Sequence, residues 1–234
     1  MNSIEDLKDM MLPHIRRLKP YHGVDPMEVI AERAGIPADQ VIRLNGNENP
    51  YGPSPRVNEA LGNFKFYNHY TDPEQRKLRS VLSKYLGAPE ERIVAGNGSD
   101  ELIDLLLRMF LGPGENIIIP SPTFGMYSFT ADICGGEAIS VPSDENFELD
   151  VESMVVAMTD KTKAVFLASP NNPSGAVYSE ESLQGLAALL ERKQAEHGSE
   201  IFIISDEPYR RIIFDGMSFP QVLPHYDNSV VVTS

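Results

Sequence analysis

The chain has 234 residues, a formal net charge of −14, 41% hydrophobic residues and 23% charged residues. These proportions are typical of a folded globular protein and exclude a fibrous or disordered chain. The acidic balance argues against broad contact with nucleic-acid phosphates, and no apolar run reaches the roughly 18 residues of a membrane-spanning helix. The acidic N-terminus does not fit a signal peptide, and the single cysteine, Cys134, fits a reducing compartment. We therefore expect a cytoplasmic protein without nucleic-acid or membrane partners.

Hydrophobic periodicity predicts the elements in chain order. Residues 1–40 indicate amphipathic helical pieces, and residues 44–55 indicate an irregular loop rich in Asn, Gly and Pro. A helix is predicted over 74–86, a short apolar strand at 93–95 and a buried helix over 101–111. The remaining predicted elements are strand 116–119, helix 124–134, strand 138–141, helix 151–158, strand 164–168, helix 180–197, strand 201–205 and strand 230–233.

Short apolar strands that alternate with amphipathic helices are typical of βαβ crossovers, which build a mainly parallel sheet with helices on both faces. The predicted fold class is therefore α/β, in a three-layer αβα arrangement. The irregular N-terminal region gives way to this alternation near residue 60. We therefore predict a boundary there, between an N-terminal arm over residues 1–60 and an α/β body over residues 61–234.

Four unusual loops follow predicted strands, at residues 96–100, 120–124, 169–175 and 206–209. In open α/β sheets, ligands bind outside the carboxyl ends of the strands. Because all four loops fall on this edge of one sheet, they predict a single ligand site.

The first of these loops, Gly96-Asn97-Gly98-Ser99-Asp100, is suited to a phosphate. Its glycines permit close backbone approach, and the free N–H groups at the start of a helix point at an anion. Ser and Asp before a helix are also ordinary N-caps, and this alternative stays open. The loop matches neither the dinucleotide-binding fingerprint, whose third glycine would fall on Glu101, nor a P-loop.

The other loops carry side chains suited to a planar ligand. The segment Ser169-Pro170-Asn171-Asn172-Pro173-Ser174-Gly175 places a side-chain amide between two prolines. The carboxylate of Asp206 follows a buried strand, where it needs a cation or several donors, and it could hold a proton on a ring nitrogen. Tyr209 offers a phenol and Phe124 a ring for stacking. The alternatives are a crossover loop, an N-cap aspartate, and aromatic residues of the core.

A phosphate loop, a stacking ring, an amide, a carboxylate and a phenol are what pyridoxal 5′-phosphate requires. The sequence resembles the fold-type I aminotransferases of class I/II, and residues 1–178 are most similar to the histidinol-phosphate aminotransferases. The matching segments are LNGNENPYGPSP, YTDPEQRKLR, AGNGSDELIDLLLRMFLGPGENIIIPSPTFGMY and FLASPNNPSG. The resemblance implies that residues 61–234 are the pyridoxal-phosphate-binding large domain, incomplete at its C-terminus. It also implies that residues 1–60 include part of the small domain.

The resemblance assigns the cofactor's phosphate and one ring face to the first two loops. Gly98, Ser99 and Asp100 would form the phosphate site, with backbone N–H groups of Ser99 and Asp100 as donors. Phe124 would stack on the pyridine ring.

The resemblance assigns the polar atoms of the cofactor ring to the last two loops. Asn172 and Tyr209 would hydrogen-bond the ring's 3′ oxygen, and Asp206 would pair with the protonated ring nitrogen. Asp206 and Tyr209 are therefore the predicted catalytic residues of this chain, because the charged pyridinium stabilises the carbanion formed from the substrate.

Residues before the α/β body would complete the site of a homodimer. The resemblance implies that Tyr70 reaches across the dimer interface to the phosphate bound by the neighbouring subunit. It also implies that the substrate pocket is lined by Asn45, Gly46, Asn47, Glu48 and Asn49.

For the complete enzyme, the resemblance implies amino-group transfer between histidinol phosphate and 2-oxoglutarate, which gives imidazole-acetol phosphate and glutamate, in histidine biosynthesis. The family's Schiff-base lysine follows the strand represented here by SVVVTS, where this sequence stops, and no lysine occurs after Lys193. We therefore expect a truncated chain that is inactive alone.

Near residue 178 the resemblance shifts toward aspartate and aromatic aminotransferases, as in an intermediate branch or a join of two related sequences. The alternatives are thus an aspartate- or aromatic-type aminotransferase, a threonine-phosphate decarboxylase, and a non-catalytic pyridoxal-phosphate-binding remnant or subunit. The exact amino donor and acceptor stay open. A metal-dependent hydrolase is not favoured, and no metal site is predicted, since the histidines lack paired ligand spacing. These histidines are His14, His22, His69, His197 and His225.

Overall fold

The computed structural model describes residues 8–21 and 23–234, so His22 and part of the helical region expected over 1–40 lie outside the described residues. The described residues form two compact units. The larger comprises residues 8–18 and 91–234, and the smaller comprises residues 19–21 and 23–90. The domain boundary near residue 60 stays a prediction.

The described elements follow the predicted alternation. The helices are α1 (Pro13–Arg17), α2 (Met27–Ala34), α3 (Pro55–Asn63), α4 (Arg76–Leu86), α5 (Gly98–Phe110), α6 (Met126–Cys134), α7 (Val151–Ala157) and α8 (Glu180–His197), with 3₁₀ helices at Ala38–Gln40 and Glu90–Arg92. The strands are β1 (Asn116–Ser121), β2 (Glu137–Pro142), β3 (Thr162–Ala168), β4 (Phe202–Asp206) and β5 (Ser229–Val232). None of the helices in these described ranges is long and apolar enough to cross a membrane.

The strands pair in the order β2-β1-β3-β4-β5, and every pairing is parallel. The chain passes from β1 to β2 in one direction and then returns across β1 to form β3 on its other side. The order of the strands therefore reverses between β1 and β3, and such a reversal leaves a crevice at the carboxyl ends of these strands.

Successive residues of a strand point to opposite faces of the sheet, and the buried strands are apolar on both faces. Helices therefore cover both faces. Val165 and Leu167 of β3 pack into one buried cluster together with residues of α7 and α8. Ala164 and Phe166 pack into the other, with residues of α5 and α6. The predicted three-layer α/β fold is confirmed.

The short strand predicted at 93–95 is wrong. Of its three residues only Ile93 is buried, whereas Val94 is 70% exposed, and no strand is assigned there. The following helix begins earlier than predicted, at Gly98 instead of residue 101. Glu101 stabilises this early start, since its carboxylate accepts a hydrogen bond from the backbone N–H of Asn97 at 2.5 Å.

The smaller unit contains α2, α3 and α4 and buries few side chains. Helix α4 has the predicted apolar face, yet Leu78, Val81 and Tyr85 of this face are all exposed, and the helix contains no buried residue. Its end is well formed, because Gly87 adopts the left-handed conformation and donates its N–H to the carbonyl of Ser83.

Candidate active site

A cavity of about 270 Å³ opens at the carboxyl edge of the sheet, within the larger unit. Its walls come from the start of α5, from the first residues after β1, and from the loops after β3 and β4. This position coincides with the reversal of strand order between β1 and β3. The lining residues are Asn97, Gly98, Ser99, Asp100, Phe124, Tyr127, Ala168, Pro170, Asn172, Asp206, Pro208, Tyr209 and Ser234.

Seven of the eight predicted cofactor residues line this cavity, and their individual roles remain predictions. Among its lining residues there is no Lys, Arg or His, and the charged side chains of the wall are the carboxylates of Asp100 and Asp206. The seven residues are Gly98, Ser99, Asp100, Phe124, Asn172, Asp206 and Tyr209.

Asp206, the last residue of β4, is the most deeply buried charged group in the cavity wall, with 3% of its surface exposed. Its Oδ2 accepts a hydrogen bond from the hydroxyl of Tyr127 at 2.7 Å. Its Oδ1 is also buried but has no hydrogen-bond partner. Burial raises the pKa of Asp206 to about 6, although the hydrogen bond from Tyr127 acts in the opposite direction. A residue of the cavity wall thus carries a buried carboxylate oxygen without a hydrogen-bond partner.

Tyr127 is a site residue that the sequence reasoning missed. It lies on α6, has no exposed surface, and belongs to the buried cluster beneath the sheet. A tyrosine in an apolar helix is typical of the hydrophobic core, so the sequence around Tyr127 does not by itself indicate a site residue. Phe124 precedes α6, so its spacing to Tyr127 does not place the two on one helix face and gives no signal either.

The start of α5 presents backbone donors to the cavity. Gly98 has a φ of +79°, a left-handed conformation that favours glycine, and Ser99 and Asp100 lie in the first turn. The N-cap residue is Asn97, not Ser99 or Asp100, and the Asn97 side chain makes no capping hydrogen bond. First-turn N–H groups have no partner within a helix, so this end is suited to an anion.

The loop after β3 is fixed by Asn171 rather than Asn172. The Asn171 side chain is 5% exposed and accepts a hydrogen bond from the hydroxyl of Thr123 at 3.0 Å. Its amide group donates to the carbonyl of Pro122 at 2.9 Å and to the hydroxyl of Ser174 at 2.7 Å. This amide therefore connects the loop after β3 to the loop that carries Phe124, while Asn172 lines the cavity.

Glu207, next to Asp206, is buried but does not line the cavity. One of its carboxylate oxygens accepts a hydrogen bond from the hydroxyl of Ser205 at 2.8 Å, and the other lies 3.7 Å from the guanidinium of Arg210. Burial raises the pKa of Glu207. The two adjacent carboxylates thus have separate surroundings.

The remaining predicted site residues belong to the smaller unit. The side chain of Tyr70 is fully exposed. Within the loop over 45–49, Glu48 pairs with Arg43, and the side chain of Asn49 accepts from the N–H of Tyr51 and donates to the carbonyl of Gly52, both at 3.0 Å. Their roles stay predictions.

Other titratable side chains lie away from the cavity. Lys163, at the opposite end of β3, pairs with Glu115 at 2.9 Å. The Nε2 of His14 lies 3.1 Å from the carbonyl of Ile133, and burial raises the pKa of the half-buried Cys134. In the described part of the chain, no group of three or more His, Cys, Asp or Glu could hold a metal ion.

The sheet and its carboxyl-edge cavity define an α/β protein of the fold-type I transferase class. Residues 39–234 match the family described as aminotransferase class I and II. The chain belongs to this family.

Curated relatives carry a more specific name. The chain is 40% identical over 229 residues to a histidinol-phosphate aminotransferase from Roseiflexus castenholzii, covering 95% of this chain and 58% of that protein. It is 43% identical over 206 residues to the chloroplastic histidinol-phosphate aminotransferase of Nicotiana tabacum, covering 88% of this chain and 47% of that protein. The chain spans about half the length of the curated relatives that it matches.

Solved structures of similar proteins share the fold. An amino transferase from Eubacterium rectale has a TM-score of 0.76 and 29% identity, covering all of this chain and 61% of that one. The histidinol-phosphate aminotransferase of Sinorhizobium meliloti, solved in complex with pyridoxal-5′-phosphate, has a TM-score of 0.77 over 96% of this chain and 58% of that one. Its identity is 23%, so this likeness bears on the fold alone.

Proposed function

We propose that this chain is the cofactor-binding part of a pyridoxal-phosphate-dependent aminotransferase. The observation that carries the proposal is the unpaired, buried Oδ1 of Asp206 in the wall of the cavity. A buried carboxylate oxygen without a donor is costly, and the protonated nitrogen of a pyridine ring supplies both a donor and a positive charge. The residues present thus fit the cofactor that the resemblance implies.

The other walls fit the remaining parts of the same molecule. The N–H groups of Ser99 and Asp100 would bind its phosphate at the start of α5. Phe124 would lie against one ring face, and the side chains of Asn172 and Tyr209 would hydrogen-bond the ring oxygen.

Pyridoxal phosphate, when bound, supplies the electron sink that stabilises a carbanion at the substrate's α-carbon. The part of this chain is to keep a proton on the ring nitrogen through Asp206, which stays ionised when a cation lies beside it. Because no cationic side chain of this chain lines the cavity, the part of this chain in binding the phosphate would fall to backbone N–H groups at the start of α5.

For the complete protein we propose transfer of an amino group between histidinol phosphate and 2-oxoglutarate, in histidine biosynthesis. Relatives of 40–43% identity that bear the name histidinol-phosphate aminotransferase support this choice. The proposal includes a homodimer in which Tyr70 contacts the phosphate of the neighbouring subunit, and a substrate pocket that includes residues 45–49. It also includes a cytoplasmic location, as the single cysteine, Cys134, suggested.

The test compares the 234-residue chain with the product of the full reading frame that encodes it. Purified protein is given pyridoxal phosphate, histidinol phosphate and 2-oxoglutarate, and glutamate is measured. We expect the longer product to turn over histidinol phosphate faster than aspartate, tyrosine or phenylalanine. Faster turnover of aspartate or an aromatic amino acid would support the aspartate- or aromatic-type enzyme, and release of CO₂ from threonine phosphate would support the decarboxylase.

For the 234-residue chain alone we expect cofactor binding without turnover, because no lysine lines the cavity. Borohydride reduction followed by mass spectrometry should leave the chain without covalently attached cofactor. A reduced, covalently bound cofactor would contradict this part of the proposal, and turnover by the chain alone would contradict its inactivity.

A further inference from the structure

The carboxylate of Asp206 uses its two oxygens differently. Oδ2 is occupied by the hydroxyl of Tyr127, which donates a hydrogen bond at 2.7 Å, and Oδ1 has no partner. Both residues line the cavity, and both are almost completely buried. Since a single strong donor fixes one oxygen, the carboxylate cannot rotate without losing this hydrogen bond, and the other oxygen is left for a ligand.

The ring of Tyr127 also touches the residue predicted to stack on the ligand. Its centroid lies 5.8 Å from that of Phe124, with an interplanar angle of 84°, an edge-to-face contact. On another side it packs against Phe166 of β3, at 5.1 Å. The side chain of Tyr127 thus contacts both Asp206 and Phe124, the residues that would meet the ring nitrogen and one ring face of the proposed cofactor.

We propose that Tyr127 is a positioning residue which holds Asp206 ionised and oriented, so that Oδ1 alone receives the protonated ring nitrogen of pyridoxal phosphate. The inference rests on the proposed function, because it requires that this cofactor occupies the cavity. Tyr127 lies on α6, outside the sequence motifs, and would thereby help to keep the pyridine ring of the cofactor in its protonated form.

The electrostatics of the site support this role. Burial raises the pKa of Asp206, the nearby Asp100 carboxylate raises it further, and the hydrogen bond from Tyr127 lowers it. The neighbouring Glu207 is held by Ser205 and Arg210, and the charge of Asp206 raises the pKa of Glu207, although burial is the larger cause. Burial and the charge of Asp206 raise the pKa of Tyr127 itself, so its hydroxyl stays protonated and remains a donor throughout the working pH range.

The test uses Tyr127→Phe in the 234-residue chain, which removes the hydroxyl and keeps the ring. Two ligands are titrated, pyridoxal 5′-phosphate and its benzene analogue, in which a C–H group replaces the ring nitrogen. We expect the variant to bind pyridoxal phosphate about tenfold or more weakly, as the loss of a hydrogen bond to a charged group predicts, and the benzene analogue within about twofold of wild type. Equal losses for the two ligands would show that Tyr127 affects only the shape of the cavity and would overturn the inference.

The pH dependence gives a second readout that a structural role would not move. Without the hydroxyl, the pKa of Asp206 should rise further above about 6. A ¹³C NMR titration of the Asp206 carboxyl in the ligand-free protein measures it directly, and the loss of pyridoxal phosphate affinity on acidification should begin at a higher pH. An unchanged carboxyl titration would also overturn the inference.

Two further variants separate this inference from the proposed function. Tyr226→Phe is the matched control, because its buried hydroxyl donates at 2.6 Å to the carbonyl of Ile201 in the opposite cluster. Its ligand affinities should not change. Asp206→Asn should weaken pyridoxal phosphate more than Tyr127→Phe does. If Asp206→Asn binds as wild type does, the proposed function fails; if it binds weakly while Tyr127→Phe is unaffected, only the inference fails.

A further experiment covers the case in which Tyr127→Phe does not fold. Incorporation of 3-fluorotyrosine at position 127 makes the hydroxyl a stronger donor and must lower the pKa of the Asp206 carboxyl. An upward or absent shift of this pKa counts against the inference.

Discussion

The segments at the carboxyl ends of β3 and β4 each contribute one polar residue to the cavity, but the two segments differ in which of two adjacent residues it is. Each begins at the carboxyl end of a buried strand and carries two adjacent polar residues. In the loop after β3, the first of the pair, Asn171, connects neighbouring loops, and the second, Asn172, lines the cavity. At the end of β4 the first of the pair is the last residue of the strand, Asp206, which lines the cavity, and the second, Glu207, does not line it.

The difference between the two members of each pair is the degree to which the protein itself satisfies their polar atoms. Asn171 uses its oxygen and its amide group in three hydrogen bonds to protein atoms. Glu207 has a partner for each oxygen, whereas Asp206 has one oxygen without any. A buried polar group that the fold leaves unsatisfied lowers stability, and such groups concentrate where a ligand binds.

The largest effect is expected for Asp206→Asn. Its amide loses the charge that would pair with the ring nitrogen, so the affinity for pyridoxal phosphate should fall about 100-fold or more. The ligand-free variant should nevertheless be more stable than wild type. Folding raises the pKa of Asp206 from 3.8 to about 6, so the ionised group destabilises the folded state as pH rises through this interval. The gain should grow from near zero below about pH 3 to about 3 kcal/mol above about pH 7, measured by urea unfolding.

This prediction fails if the variant gains no stability between pH 4 and pH 8. It also fails if Glu207→Gln, the matched variant one residue away, lowers cofactor affinity as much as Asp206→Asn does. The comparison tests whether cofactor binding depends on Asp206, which lines the cavity, and not on the adjacent Glu207.

A smaller effect is expected for Asn171→Ala, which should lower the free energy of unfolding by about 2–3 kcal/mol. The substitution removes the three hydrogen bonds of the buried Asn171 side chain, to the carbonyl of Pro122 and the hydroxyls of Thr123 and Ser174. Asn172→Ala is the control, because its partly buried side chain lines the cavity, and stability should change by less than about 0.5 kcal/mol. Chemical denaturation of both variants measures the difference, and equal losses would contradict the division of roles within the pair.

Much of the cavity was predictable, because strand ends follow from periodicity and parallel strands bring their carboxyl ends to one edge. Residues as distant in the sequence as Ser99 and Tyr209 therefore meet in one cavity. The motif at residues 96–100 was placed correctly even though the strand before it was wrong. Its position depends on the start of α5, which Glu101 sets through the N–H of Asn97.

The orientation of adjacent residues was not predictable from the sequence. In a strand, neighbouring side chains point to opposite faces, but the local pattern does not say which of Asp206 and Glu207 faces the cavity. Tyr127 was missed for a related reason, since a fully buried aromatic residue gives no sign that its hydroxyl meets a carboxylate from β4.

The smallest effect is expected for Ser205→Ala. The Ser205 hydroxyl donates to Glu207 at 2.8 Å, as the hydroxyl of Tyr127 donates to Asp206 at 2.7 Å on the other side of the strand. Removing the serine donor should lower the free energy of unfolding at pH 7 by about 1 kcal/mol and leave the affinity for pyridoxal phosphate within about twofold. Thermal unfolding and a ligand titration measure the two quantities. Loss of a hydroxyl donor should weaken ligand binding only beside Asp206, whose second oxygen has no partner in the protein. A marked loss of affinity in Ser205→Ala would therefore mean that Glu207 and Asp206 act together on the ligand.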